Sequence, residues 1–229
     1  RTRPWGYDPS NNVVVSLDKS ASFEAFKDEL KRNNNVKYVS GSVQSLGNFS
    51  KQLVIKTEGK EQTVQSISVL PGFATQLGIS IIKGRDLSPE FEADKTDAVL
   101  VNQAFLNQMH WATGIGKNIE YENHRYLVVG EVNDFHFENF QTPVGPLVLM
   151  GCKPADINYV YVKTAPGLFT NAHTEVEKVW KKVNPNLPFE YYYQEGVFDQ
   201  YFKGFNQVSQ VMGAAAAIMM TISISGIFG

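Results

Sequence analysis

The sequence is nearly free of cysteine and has no marked excess of charge of either sign. Cys152 is the single cysteine among 229 residues, so an intramolecular disulfide is excluded and the cysteine count does not identify the compartment. Lys and Arg number 21 and Asp and Glu 23, mixed along the chain, which leaves no electrostatic basis for binding nucleic acid. No apolar stretch follows residues 1–4 (RTRP), so no signal peptide is visible. A domain outside the cytoplasm would therefore need delivery by an upstream segment, such as another membrane helix.

The sequence also lacks the motifs of common catalytic sites. Residues 114–117 (GIGK) superficially suggest a phosphate loop, but a Walker A motif needs a glycine where Trp111 stands and a hydroxyl residue where Asn118 stands. There is no G-x-S-x-G elbow, and Cys152 has no histidine near it in sequence. Triads assemble from residues that are distant in the chain, so the sequence alone does not exclude one. We nevertheless predict a protein that is not an enzyme, with no catalytic and no cofactor-binding residues.

Three metal-ligating residue types alternate in the second half of the chain. Asp134, His136 and Glu138 would share one face of a strand, and His124 offers a further ligand from elsewhere. Aromatic residues interleave with them and favour packing instead, with the polar residues closing a loop. Those aromatic residues are Phe135, Phe137 and Phe140. We therefore predict no metal site here.

Three local features have simpler interpretations. Arg85 and Asp86, beside Gly84, are predicted to fix a turn through a local ion pair. Asn48-Phe49-Ser50 matches a glycosylation sequon, a pattern that is frequent by chance. Trp5 and Tyr7, beside two arginines, would suit a membrane interface but equally the edge of a packed domain.

Charge and proline are absent from the last stretch of the chain, residues 204–229. Residues 211–228 are apolar, small or hydroxylated, enough for the lower limit of a membrane-spanning helix, roughly 17–25 residues. Upstream, apolar residues recur at helical spacing from Phe198 to Met212. We predict an amphipathic stalk helix that continues into a membrane span, with bending at Gly204 or Gly213, because glycine weakens a helix interior. The alternative is a buried C-terminal helix of a soluble protein.

The chain before this stretch contains two similar strand–helix–strand patterns. Residues 12–17 and 36–43 read as strands around a helix capped by Ser22, and residues 157–162 and 189–193 as strands around a second helix. Two such units most simply share one sheet with both helices on one face, a ferredoxin-like layer. The residues between them read as a mostly β module with small helices, including hairpins around residues 58–60 and 123–124. The predicted fold class is therefore α+β.

The order of several short motifs resembles one known family. These motifs are residues 84–87 (GRDL), 98–105 (AVLVNQAF), 114–117 (GIGK) and 126–136 (YLVVGEVNDFH), with Pro146 after them. Each is weak alone, but their order and spacing resemble the extracytoplasmic core domain of MacB-type ABC transporter permeases. Residues 224–229 (ISGIFG) are similar to the start of the FtsX-like transmembrane region that follows that domain. The resemblance covers nearly the whole chain.

The resemblance implies an organisation. Residues 1–11 would be a linker from a preceding span, residues 12–47 and 156–195 the two halves of a porter-like subdomain, and residues 48–155 an inserted β-rich subdomain. Residues 196–229 would form the stalk helix and the start of a transmembrane helix. Such a domain lies in the periplasm, on a permease in the bacterial inner (cytoplasmic) membrane.

The resemblance also implies a function without catalysis. ATP would be hydrolysed by a separate cytoplasmic ATP-binding subunit or domain, acting with a second permease copy or homologue. The periplasmic domain would transmit the resulting motion to a substrate or partner outside the membrane, such as a peptide or lipoprotein. One alternative is a periplasmic ligand-sensing module of a permease, which a large apolar cleft or coupling to a kinase operon would favour. The other is a soluble enzyme, which needs clustered titratable groups in a pocket.

Overall fold

A computed structural model describes residues 5–48, 50–138, 142–166 and 172–197. These residues form a mixed α+β fold, as predicted, with two structural parts joined in one continuous sheet. No helix within these ranges is long and apolar enough to cross a membrane, and the longest of them, Ala172–Val183, has 12 residues. The predicted stalk, the span at residues 211–228 and the bending glycines Gly204 and Gly213 lie outside the described residues, as do Phe49 of the sequon and Phe140.

The first part is built from the two predicted strand–helix–strand units. Their elements are β1 (Asn12–Ser16), α1 (Phe23–Lys31), β2 (Val36–Ser42), β10 (Tyr159–Thr164), α4 (Ala172–Val183) and β11 (Tyr191–Tyr193). The strands lie in the order β11-β1-β10-β2, and every neighbouring pair is antiparallel. This is the strand order of a ferredoxin-like layer. We call these six elements the layer.

Both helices of the layer cover the same face of its sheet, as the sequence predicted. Val13 and Val15 point to this face and pack with Phe26 of α1 and Trp180 of α4, whose rings meet edge to face at 5.1 Å. Alternation along a strand sends Val14 to the opposite face. The Ser22 side chain caps α1 by accepting a hydrogen bond from the Ala25 N–H, which confirms the predicted cap.

The second part contains the strands between β2 and β10. Its elements are β3 (Lys51–Thr57), β4 (Lys60–Val69), α2 (Phe73–Gln76), β5 (Ile81–Gly84), β6 (Ala98–Asn102), α3 (Gln103–Met109), β7 (Asn118–Tyr121), β8 (His124–Val132) and β9 (Leu147–Gly151). Short 3-10 turns occur at Glu92–Lys95 and Pro154–Asp156, and another follows β11 at Gln194–Gly196.

Six of these strands close into a barrel, which the sequence did not predict. Going round the ring, the order is β4-β3-β7-β8-β6-β9 and back to β4, and β5 pairs with β8 from outside. The β4–β9 and β6–β8 pairs are parallel and the others antiparallel. All six strands contribute apolar side chains to one interior cluster, and Phe105 of α3 and Trp111 close it at one end. We call this part the barrel.

A shared core joins the barrel to the layer. Val14 and Tyr161 of the layer pack with Leu100 and Leu149 on the outer face of the barrel, together with Phe73 of α2. One residue pair, Ser42 with Val69, extends the sheet from β2 to β4. The barrel therefore covers the face of the layer that its own helices leave open.

Two local predictions differ from the structure. The β7–β8 hairpin turns at Glu122 and Asn123, both with positive φ, one residue earlier than expected. Residues 133–138 are not a strand, because β8 ends at Val132 and the chain turns away from the sheet.

Candidate functional site

The two ends of the described chain meet at one end of the layer. β1 begins at Asn12 and β11 ends at Tyr193, and these strands are antiparallel neighbours, with Val13 opposite Tyr193. The segments before β1 and after β11 therefore leave the sheet side by side. The Asn11 N–H donates to the Glu195 carboxylate at 2.9 Å, which ties the two segments directly. We call residues 5–11 and 194–197, together with the residues that contact them, the terminal junction.

Gln194 is the central residue of this junction. It is fully buried, and its Nε2 donates to the Tyr7 hydroxyl at 2.8 Å and to the Leu46 carbonyl at 3.0 Å. Burial raises the pKa of Tyr7 well above its usual range, so the phenol is neutral and accepts this bond as a hydroxyl. One carboxamide thus joins the segment after β11, the segment before β1 and the chain that leads into the barrel.

Two further tyrosines extend the buried polar contacts towards the centre of the layer. The Leu46 N–H donates to the Tyr161 hydroxyl at 2.9 Å, and Ser45 Oγ lies 2.7 Å from the Tyr192 hydroxyl. Burial raises the pKa of Tyr161 to about 12 and that of Tyr192 still further. These phenols keep their protons at neutral pH, so they hold segments together and offer no base for catalysis.

The loop after β8 holds the segment before β1 from the barrel side. The His136 N–H donates to the Trp5 carbonyl at 2.9 Å, and the rings of Tyr7 and Phe135 meet edge to face at 6.1 Å. Gly6 has φ +78°, and a Cβ there would lie 2.6 Å from the Cα of Phe135. Only glycine allows the chain to pass this close to the loop.

Asn102 and Asp134 fix that loop to the barrel. Asn102 is fully buried; its Oδ1 accepts from the N–H groups of Phe105 and Leu147, and its Nδ2 donates to Asp134 at 2.7 Å. Asp134 also accepts from the Ala104 N–H at 2.9 Å. Two of the motifs that carried the family resemblance, residues 98–105 and 126–136, thus meet next to the terminal junction.

The residues considered for metal binding have separate structural contacts. Asp134 is hydrogen-bonded to Asn102, Glu138 accepts from the Ser50 hydroxyl, and His124 pairs with Asp97 at 2.8 Å. No group of three His, Cys, Asp or Glu side chains able to hold a metal ion occurs in the described ranges. The interleaved Phe135 and Phe137 are buried in the shared core, which agrees with the packing interpretation.

The 114–117 turn is held by pairing within the barrel. Lys117 Nζ pairs with Glu58 at 2.6 Å and lies over the Trp111 ring, 4.2 Å from its centroid. The Gly114 N–H donates to the buried Glu131 carboxylate at 2.8 Å. Burial alone would raise the pKa of Glu131, but hydrogen bonds from Thr113 and Gly114 outweigh burial and hold that pKa below its usual value.

The predicted ion pair between Arg85 and Asp86 is wrong. Arg85 instead forms a bidentate pair with the buried Asp94, whose carboxylate also accepts from the Ser88 N–H at 2.7 Å. The Asp86 carboxylate accepts from the Thr75 and Leu87 N–H groups, both at 2.8 Å. The motif therefore closes the turn with main-chain donors, and its arginine reaches to the 3-10 turn at Glu92–Lys95.

Cys152 is buried where the chain returns from the barrel to the layer. Burial raises the pKa of its thiol to about 12, so the sulfur is protonated and inert at neutral pH. No sequence signal singled out Gln194 or Tyr161, because their importance comes from contacts between residues more than a hundred positions apart.

Comparison with known proteins gives one family and one fold. Residues 6–178 match the family model described as the MacB-like periplasmic core domain. No curated protein sequence matches the chain.

Two solved structures share the fold at low sequence identity. The periplasmic region of MacB from Actinobacillus actinomycetemcomitans is 12% identical, with a TM-score of 0.63 over 86% of this chain and 94% of that one. The extracellular domain of the ABC-type transporter YknZ from Gram-positive bacteria is 13% identical, with a TM-score of 0.58 over 79% of this chain and 98% of that one.

Proposed function

The chain belongs to the family of MacB-like periplasmic core domains, and from this premise we propose that it transmits motion in an ABC transporter permease of the bacterial inner membrane. It is a domain without catalysis. Conformational change driven by ATP hydrolysis on a separate cytoplasmic subunit passes through it to a substrate or partner in the periplasm. A second permease copy or homologue completes the transporter.

One observation supports this proposal: the segments just before β1 and just after β11 are tied to each other and to both structural parts. Gln194 joins the segment after β11 to Tyr7 and to Leu46, at the start of the path into the barrel. Trp5 accepts a hydrogen bond from the loop after β8. A displacement of either segment would therefore act on the layer and the barrel together, because these hydrogen bonds connect each segment to both parts.

The finer organisation belongs to the same proposal. Residues 12–47 and 156–195 are the porter-like halves, residues 48–155 the inserted subdomain, and residues 1–11 and 196–229 connect to membrane spans. Motion enters through the stalk after Gly196. The stalk bends at Gly204 or Gly213, so spin-label distances across one of these glycines should change between nucleotide states of the intact transporter.

A flexible insertion at the exit from the domain tests transmission. A Gly-Ser insertion of about six residues between Gly196 and Val197 adds a coil with an end-to-end distance of roughly 13 Å, which absorbs displacement. We expect the intact transporter to keep its ATPase activity and its amount in the membrane, but to lose transport. ATP hydrolysis and transport are measured on the same proteoliposomes.

The control is the same insertion between Glu58 and Gly59, at an exposed barrel turn where a Cβ added to Gly59 would meet nothing within 4 Å. This variant should keep both activities. Full transport by the Gly196 variant would refute transmission through this exit. Equal loss of transport in both variants would also refute it, because the effect would then not depend on the terminal junction.

A further inference from the structure

Strand β4 of the barrel is longer than β9, which pairs with one of its edges. β4 spans Lys60–Val69, and β3 pairs with it from Lys60 to Ser66. On the other side β9 pairs only with residues from Gln65 to Val69. Residues 60–64 therefore have an edge that no strand in the described ranges occupies.

The direction of the main-chain groups along β4 follows from its pairing. The Gln65 N–H donates to the Pro146 carbonyl at 2.9 Å, so it points away from β3. Main-chain groups alternate in direction along a strand, so those of Thr63 and Glu61 point to the same open side. Both residues are exposed.

A side chain occupies part of the place where a strand would pair. Gln108 of α3 donates from its Nε2 to the Thr63 carbonyl at 3.1 Å and contacts Gln62 at 3.3 Å. This carboxamide has the same donor and acceptor groups as a peptide bond, so it stands in for a strand at one position. Among the described residues, no group accepts a hydrogen bond from the Thr63 N–H.

A narrow cleft of about 270 Å³ lies against this edge. Its volume is below the ~300–1,000 Å³ of sites for drug-sized ligands, which favours a thin ligand. Three carboxamides line it, from Gln52, Gln65 and Gln108, together with the Glu138 carboxylate. None of the described lining residues is Lys or Arg, so the cleft is not suited to a phosphate or another anion.

We propose that this cleft binds an extended peptide, which pairs with the edge of β4 at Glu61 and Thr63 in the place that a longer β9 would take. Main-chain hydrogen bonds supply the affinity, as in other cases of strand addition. Glu61 and Glu138 favour a peptide with positive rather than negative side chains. The proposal goes beyond the transmission of motion and does not depend on it, since it names a ligand class for a separate surface.

Matched peptides test the main-chain contacts. The probes are a short blocked peptide of alternating Thr and Lys, the same peptide N-methylated at its Thr residues, and a version with Glu in place of Lys. Each carries fluorescein and is titrated against the full 229-residue chain in lipid nanodiscs, with anisotropy as the readout. We expect the unmethylated Lys peptide to bind, the methylated one to bind at least about tenfold more weakly, and the Glu peptide to bind weakly.

Three variants locate the peptide. Thr63→Pro removes the N–H that faces the cleft and should weaken binding about tenfold. Val54→Pro is its matched control, because Val54 lies opposite Thr63 on β3 and its N–H does not take part in the β3–β4 ladder. Gln108→Ala removes the competing carboxamide without altering a strand and should tighten binding roughly two- to fivefold.

The outcomes separate the site from nonspecific binding. Equal affinity for methylated and unmethylated peptides would overturn the proposal, as would equal binding by the Thr63→Pro and Val54→Pro variants. No binding of the Lys peptide to wild type or Gln108→Ala at millimolar concentration would also overturn it. Because ATPase and transport measurements play no part here, failure of this proposal is distinguishable from failure of the transmission proposal.

Discussion

At the scale of single residues, Gln194 connects more segments than any charged group at the terminal junction. Gln194→Leu keeps a similar volume but leaves the Tyr7 hydroxyl and the Leu46 carbonyl without their donor. Leaving buried polar groups unpaired costs about 1–3 kcal/mol, so we expect the free energy of unfolding to fall by that amount. Denaturant titration measures it, and Gln103→Leu, at an exposed position of α3, should change it by less than about 0.5 kcal/mol. Equal effects of the two substitutions would contradict a structural role for Gln194.

The pair of Arg85 and Asp94 should respond asymmetrically to substitution. The Asp94 side chain is 2% exposed and that of Arg85 43%, so only the carboxylate is cut off from water. Arg85→Ala leaves a buried charge without its partner and should destabilise by about 3–5 kcal/mol. Asp94→Asn leaves an arginine that reaches solvent and should cost less, about 1.5–3 kcal/mol. The order of the two denaturation midpoints in urea tests this asymmetry, and the reverse order would contradict it.

Asp8 should make the terminal junction sensitive to acid. Burial alone would raise the pKa of Asp8, but the ion pair with Lys163 and hydrogen bonds from Ser10 outweigh burial and lower it. A lowered folded-state pKa stabilises above the unfolded value, about 3.9, and this contribution is lost as the pH falls through the folded-state value. The stability difference between wild type and Asp8→Asn should be constant from about pH 5 to 7 and shrink below about pH 4. Lys163→Met should weaken this acid dependence and leave the part that comes from Ser10, and an unchanged dependence would rule out the ion pair as a source.

At this scale the sequence predicted little of the site. The cap at Ser22 and the packing of Phe135 and Phe137 follow from local pattern, and both are present. Gln194 and the pair of Arg85 with Asp94 do not follow, because a carboxamide or a charge has many partners within reach of a turn. Only the folded chain decides which of them is near.

At the scale of elements, prediction succeeded where the signal was local. Alternating apolar residues and turn residues identified the strands and both helices of the layer, and the Glu58-Gly59 turn has the positive φ values that a tight hairpin needs. Closure of the barrel was not predicted. It depends on parallel pairs such as Gln65 with Leu147, which no turn connects and which alternation alone cannot assign.

Strand β5 pairs with the outside of the barrel through a close main-chain contact at Gly130. β5 crosses β8 at Gly130, and a Cβ there would overlap the main-chain carbonyl of Arg85. Because a carbonyl cannot rotate away as a side chain does, Gly130→Ala should cost at least about 3 kcal/mol or prevent folding. Gly145→Ala is the control, since a Cβ there meets nothing within 4 Å and should leave stability within about 0.5 kcal/mol. Soluble yield and thermal midpoint measure both, and a stable Gly130→Ala protein would mean that β5 can shift along β8.

At the scale of the whole molecule, the layer and the barrel depend on each other. The layer's own helices cover one face of its sheet, and the opposite face, with Val14 and Tyr161, is buried only by the barrel. If either part unfolded alone, it would expose this shared core, at a cost of about 25 cal/mol for each Å² of apolar surface. This mutual burial supports the proposed transmission of motion through the domain.

This dependence predicts that the two parts unfold together. Trp180 reports on the layer and Trp111 on the barrel interior, so single-tryptophan variants follow each part separately by fluorescence. With the other tryptophans replaced by phenylalanine, we expect coincident denaturant midpoints, as for a two-state domain. Tyr161→Ala leaves a cavity in the shared core. It should therefore lower both midpoints and reduce the free energy of unfolding by about 3–5 kcal/mol. If the Trp111 signal kept its midpoint while the Trp180 signal lost its own, the barrel would be independent of the layer, and the domain would transmit motion through a joint rather than as one body.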